Sequence, residues 1–172
     1  MDRISYMDGY LFKAVEDGDM ELLFNIYNGG LDRLVDGNRT RHSMFNAPST
    51  EARCPSLLLQ ANARGKIPLH VAARQGHCEI VKFFIKRSKE QQYGDLEQMV
   101  KMRDKEQNTA LHQAVQFGSH RVVRLLLKEE PTLLNSVNTS GETPLYLAAR
   151  RGDFRLMAEM LDDTNGSCWP PW

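Results

Sequence analysis

Apolar residues in this chain come in short paired bursts at helical spacing, each pair divided by a glycine. Leu69, Val71, Ala72 and Ala73 make one burst, and Ile80, Val81, Phe84 and Ile85 make the next, with Gly76 between them. This spacing predicts two short helices joined by a tight reversal. Pro68 suits the first position of the inner helix, where the N–H it lacks would have no helical acceptor. The inner helix is predicted over Pro68 to Gln75, stopped by Gly76 in a left-handed cap. Asn62 through Gly65 supply the turn ahead of it.

The pattern repeats as sequence. Gly65-Lys66-Ile67-Pro68-Leu69-His70-Val71-Ala72-Ala73 and Gly141-Glu142-Thr143-Pro144-Leu145-Tyr146-Leu147-Ala148-Ala149 are two copies of one phrase. A degraded copy, Gln107-Asn108-Thr109-Ala110-Leu111-His112-Gln113-Ala114-Val115, lies between them. Asp104 opens that second copy and Gly118 stops its inner helix, with Val122, Val123, Leu125, Leu126 and Leu127 filling the outer one. Asn138 opens the third and Gly152 stops its inner helix. Its outer apolar stripe is predicted as Phe154, Met157, Met160 and Leu161. From Leu111 to Leu145 is 34 residues, whereas Leu69 to Leu111 is 42. An insertion is therefore expected in Ser88–Met102, where Leu96, Met99 and Val100 continue the apolar face. Leu11-Phe12-Lys13-Ala14-Val15-Glu16-Asp17-Gly18-Asp19 aligns with Leu69 to His77 as a partial first copy, with Met20, Leu22, Leu23 and Ile26 on its outer helix. Leu11 to Leu69 spans 58 residues, leaving room for a connection rich in Gly, Asn, Arg and Ser over Asn28–Ala52.

Self-similarity at about 34 residues, carrying a Thr-Pro-Leu-His-x-Ala-like phrase, resembles the ankyrin repeat. The resemblance implies an all-α solenoid of helix-turn-helix repeats with short β-turn connections. The expected organisation is a partial capping repeat over 1–28, a flexible connection over 29–61 with order resuming near Leu57-Leu58-Leu59, and three repeats over 62–103, 104–137 and 138–163. A disordered tail is expected over 164–172. Ser56-Leu57-Leu58-Leu59-Gln60-Ala61-Asn62, the insertion after Lys86 and the Gly141–Ala149 phrase are also similar to plant ankyrin-repeat membrane proteins of the accelerated-cell-death class. That likeness implies a cytosolic array, a separate transmembrane region, and a role in defence or stress signalling at the plasma membrane. The chain departs from that class by ending in Cys168-Trp169-Pro170-Pro171-Trp172 without a membrane segment. It is therefore expected to be a short isoform or fragment, the front of a longer array.

Composition narrows the function classes. At 172 residues, with 41% apolar and 26% charged residues, the chain suits a globular protein. No apolar run reaches 18 residues, and no apolar signal core opens the chain, so a cytoplasmic location is expected. Cys54, Cys78 and Cys168 form no C-x-x-C pair and read as free thiols, Cys78 as a small buried residue. Net charge is zero but uneven: residues 1–36 carry −5, 37–89 carry +8 and 90–172 carry −3. The basic middle, with Arg39, Arg41, Arg53, Arg64, Lys66 and Arg74, admits an anion- or nucleic-acid-binding reading or a plain solvated segment.

Catalytic chemistry finds no support. Gly65-Lys66 lacks the upstream glycine and following Ser or Thr of a phosphate loop, and neither a G-x-S-x-G elbow nor an H-E-x-x-H helix occurs. No catalytic, cofactor or metal site is assigned. His70 and His112 are assigned to hydrogen-bonding the turns, networks that Tyr146 and Ile67 should weaken. The function expected is protein binding through the concave face. By register its inner-helix positions are Arg74 and Gln75, Gln116 and Phe117, and Arg150 and Arg151, preceded by Glu16 and Asp17. Its turn tips are Arg64 and Lys66, Glu106 and Asn108, and Ser140 and Glu142. Phe117 is either an interface anchor or packing for a neighbouring repeat. The partner is a protein of unnamed identity, nucleic acid is the lesser reading, and the third repeat is a candidate surface for self-association.

Overall fold

A computed structural model of the chain describes residues 3–27, 56–90 and 95–162. These residues are helical with no strand among them: α1 (Arg3–Asp17), α2 (Met20–Tyr27), α3 (Ser56–Leu59), α4 (Pro68–Gln75), α5 (Cys78–Glu90), α6 (Asp95–Lys101), α7 (Ala110–Gln116), α8 (His120–Glu129), α9 (Pro144–Arg151) and α10 (Phe154–Asp162). A 3-10 turn, Pro131–Asn135, follows α8. Helices α1, α4, α7 and α9 stack as an inner row, and α5, α8 and α10 stack outside them.

Helices α4 and α9 are short because their sequences start and stop them within about two turns. Pro68 and Pro144 occupy the first helical positions of α4 and α9. Gly76 ends α4 with φ 75°, its N–H reaching the Ala72 and Ala73 carbonyls. A side chain there would meet both the left-handed backbone penalty and Ser119 Oγ of the next repeat at 2.9 Å. Small residues set the helix spacing: Ala72, Ala73, Ala110, Ala114 and Ala148 are fully buried. Leu11, Leu69, Leu111 and Leu147 fill the seams between inner helices, and Ile80, Phe84, Val122 and Leu126 bury the outer row.

The long step between the first and second full repeats is resolved into two pieces. Helix α5 runs to Glu90, and α6 folds back against it with Met99 and Val100 buried. Lys89 reaches Glu129 at 2.7 Å and Lys101 reaches Glu130 at 3.1 Å, tying the insertion to the end of α8.

Helix α3 covers the stretch where order is expected to resume, with Leu57 and Leu58 buried against α4. Two sequence expectations are corrected. In α10 the buried residues are Leu156 and Met160, while Phe154 is 75% exposed, Leu161 is exposed and Met157 is half-buried. The cause is register: Leu156 stands four residues past its capping glycine, as Ile80 and Val122 do, and Phe154 stands two past, as Cys78 and His120 do. Met157 and Leu161 match the buried Val81 and Ile85, but no described element packs beyond α10 to cover them. Cys78 is half-buried rather than buried, and Leu125 sits on the flank of the α8 stripe. The Asn28–Ala52 connection proper, the 164–172 tail, Cys54, Cys168, Arg39, Arg41 and Arg53 lie outside the described residues.

Candidate protein-binding surface

The three turns share one construction. Asn62 Oδ1 accepts the Arg64 and Lys66 N–H groups at 2.9 and 3.1 Å. Asp104 Oδ1 accepts those of Glu106 and Asn108 at 2.9 Å each, and Asn138 Oδ1 accepts those of Ser140 and Glu142 at 3.0 and 2.9 Å. An Asn or Asp at this position mimics a backbone turn with its own side chain. The turns are then stitched to one another. Lys105 N–H donates to the Arg64 carbonyl (3.2 Å) and Thr139 N–H to the Glu106 carbonyl (3.0 Å). The tips thus form one continuous row.

The two histidines fasten each inner helix to the following turn. Ile67 N–H donates to His70 Nδ1 (3.3 Å), and His70 Nε2–H donates to the Asn108 carbonyl (3.0 Å). Thr109 N–H and its hydroxyl converge on His112 Nδ1 at 3.1 and 2.9 Å, and His112 Nε2–H donates to the Glu142 carbonyl (3.2 Å). The network places the proton on Nε2 in both rings. Burial holds His70 down to about 4, with lesser upward pulls from the Asn108 carbonyl and Asp104. Burial also lowers His112, opposed by its bond to Glu142. Ile67 contributes no hydroxyl to this arrangement and is buried as core, and Tyr146 is exposed.

The concave positions divide into engaged and open groups. Asn108 is only 6% exposed, its Nδ2 bonded to Glu106 Oε2 and its Oδ1 accepting from Asn138 Nδ2. As a contact residue it is corrected: it holds the turns together. Lys66 is likewise drawn inward, its side chain 15% exposed, with Nζ 3.3 Å from Gln113 Oε1 and 3.9 Å from Asp104 Oδ2. Gln113 Nε2 closes that triangle on Asp104 at 3.4 Å. Gln113 was missed because a polar residue in an inner helix reads as surface; its place between two oppositely charged turn residues was the available signal. Arg150 pairs with half-buried Glu142, and Arg151 donates to the Gln116 carbonyl. Arg64, Arg74, Gln75, Gln116, Phe117, Glu106 and Ser140 are exposed. Phe117, 46% exposed, lies under the Arg74 guanidinium, which sits 4.6 Å from the ring centroid. Both readings of Phe117 thus hold in part: it is partnered on one side and open on the other.

Two hollows flank this pair. One, of about 500 Å³, is lined by Glu16, Arg64, Lys66, Arg74 and Gln75. The other, of about 380 Å³, is lined by Glu106, Gln116, Ser140, Glu142 and Arg150. Among the described residues no cluster of His, Cys, Asp or Glu is arranged to hold a metal, and no helix is long and apolar enough to cross a membrane. A further polar clasp lies at the outer row, where His120 has its two ring nitrogens 3.1 Å from Glu159 Oε2 and 3.1 Å from Asp153 Oδ2.

Comparison with known proteins settles the family. The model for ankyrin repeats in three copies matches residues 11–130 and 93–167. The chain belongs to the ankyrin-repeat family. Alpha-latrotoxin-Lhe1a of Latrodectus hesperus is 28% identical over 89% of the chain and 9% of the toxin. Probable E3 ubiquitin-protein ligase XBOS32 of rice (Oryza sativa subsp. japonica) is 32% identical over 56% of the chain and 18% of that protein. Leucine-rich repeat serine/threonine-protein kinase 1 of Caenorhabditis elegans is 25% identical over 76% of the chain and 4% of the kinase. The chain therefore spans less than a fifth of each of these relatives. Among solved structures, a chain in the crystal structure of the yeast ribosomal protein Rps3 in complex with its chaperone Yar1 superposes with a TM-score of 0.70 at 22% identity, covering 100% of this chain and 99% of that one. That match establishes the fold, an all-α ankyrin solenoid.

Proposed function

We propose that this chain is a non-catalytic protein-interaction module that takes its partner on the concave row of turn tips and inner-helix ends. One observation carries the reading: Phe117, an aromatic left nearly half exposed on the row and braced by Arg74. Aromatic and arginine side chains dominate the energetics of interfaces, and a large ring held in place loses little entropy on binding. The stitched turns beneath it make a firm base. Affinity capture from native cells with the double variant Arg74→Ala/Phe117→Ala tests this. Loss of the captured protein with an unchanged thermal melt supports the reading, and undiminished capture overturns it.

The setting proposed is plant defence or stress signalling at the cytosolic face of the plasma membrane. Its support is the motif resemblance to the accelerated-cell-death class and a rice protein among the relatives, although a spider toxin and a nematode kinase match as well. A second reading, self-association through the third repeat, is favoured by the exposure of Tyr146, Phe154 and Leu161. Equilibrium sedimentation of the chain and its Phe154→Ser variant distinguishes it, since only self-association makes the mass depend on that residue. The nucleic-acid reading is weakened by Lys66, whose amino group is already committed to Asp104 and Gln113.

A further inference from the structure

The concave arginines are not equivalent. Arg150 is held by Glu142 and Arg151 by the Gln116 carbonyl. Arg64 and Arg74 have no carboxylate partner among the described residues: Arg64 contributes only backbone hydrogen bonds to its turn, and Arg74 lies over Phe117. Both open onto the same hollow, which has one acidic wall residue, Glu16. One turn further along the row the polarity reverses, with exposed Glu106 and with Glu142 lining the second hollow.

We infer that the first hollow takes acidic side chains of an extended protein segment, a reading that rests on the concave face being the binding surface. The Arg74 guanidinium lies over the Phe117 ring, and with no acceptor on it among the described residues its N–H groups are available for bidentate contact with a carboxylate. Arg64, on the tip beside it, supplies the second donor group. A peptide fits this surface better than a nucleic acid for two reasons: the Lys66 amino group in the hollow is already committed to Asp104 and Gln113, and Glu106 repels the next phosphates of a polyanion running along the row. Neighbouring repeats lie about 10 Å apart, which an extended chain covers in about three residues. The segment therefore carries its acidic residues within roughly one repeat, followed by neutral or basic residues over Glu106.

The test is fluorescence anisotropy on the full chain with three labelled probes: a peptide bearing two glutamates followed after three residues by a lysine, the same peptide with every charge inverted, and oligothymidylate. The acidic peptide is expected to bind at least tenfold more tightly than the inverted one, and to weaken as salt rises. Arg64→Glu and Arg74→Glu, each checked by thermal melt, should remove that preference, and the double variant should favour the inverted peptide. Equal binding of both peptides, tighter binding of oligothymidylate, or indifference to the arginine reversals overturns the inference. Failure here together with loss of cellular capture by Arg74→Ala/Phe117→Ala leaves the concave surface in place and refutes only its acidic preference.

Discussion

Burial keeps the His70 imidazole neutral and lowers its pKa to about 4, against the upward pull of the Asn108 carbonyl that its Nε2–H donates to, while Nδ1 accepts the Ile67 N–H. In the unfolded chain the same group titrates near 6.5. Above pH 6.5 both states are neutral and nothing is lost. As pH falls from 6.5 toward 4 the unfolded state gains a proton that the folded state refuses, so stability declines through that window, by on the order of 3 kcal/mol for His70. His112 is shifted in the same direction and adds to the loss. Urea midpoints measured from pH 7.5 to 4.5 should drop steadily below 6.5, and a His70→Gln chain should show a shallower slope. The turn of the second full repeat offers another residue-scale test. Gln107 occupies φ 61°, where the first and third repeats have Gly65 and Gly141. Gln107→Gly relieves the left-handed strain at some entropic cost, for a net gain of about 0.5 kcal/mol by chemical denaturation. A loss would show that its side chain contributes to the tip.

Helices were legible where the repeat phrase was intact and misread where its register was not applied. Pro68, Gly76, Pro144 and Gly152 bounded α4 and α9 from sequence alone, because proline and glycine act on the local backbone without tertiary help. Outer-helix burial is set instead by what packs beyond, so hydrophobicity picked Phe154 and Leu161 and passed over Leu156. Counting from the capping glycine would have corrected the choice. Leu156→Ala should cost 2–5 kcal/mol, in the range for truncating a buried leucine. Phe154→Ala should stay within about 0.5 kcal/mol, as for an exposed position. Reversal of that order in thermal melts would place the α10 stripe where hydrophobicity alone put it. The concave face was legible as a set of positions, but not in which members are free. Pairing of Arg150 with Glu142, inward turning of Lys66 and burial of Asn108 depend on side chains from two repeats, and one repeat's sequence holds no record of them.

The described helices form a row of nearest-neighbour contacts, with the histidine bonds, the Asx turns and the turn-to-turn N–H bonds all repeating along one edge. Such an array stiffens one surface while leaving its outward side chains free to vary. That division explains why the shared phrase holds the stack together while Arg64 and Phe117, which differ between repeats, carry the proposed recognition together with Arg74. The outer helices offer the internal control, since Arg124 is exposed on the outer-row helix α8 and belongs to neither a turn tip nor an inner helix. The most direct test is site-specific photocrosslinking in cells, with a benzophenone side chain placed at position 117 in one chain and at position 124 in another. A discrete protein adduct from position 117 and none from position 124 is the predicted result. An adduct from position 124 alone would contradict the concave-face account.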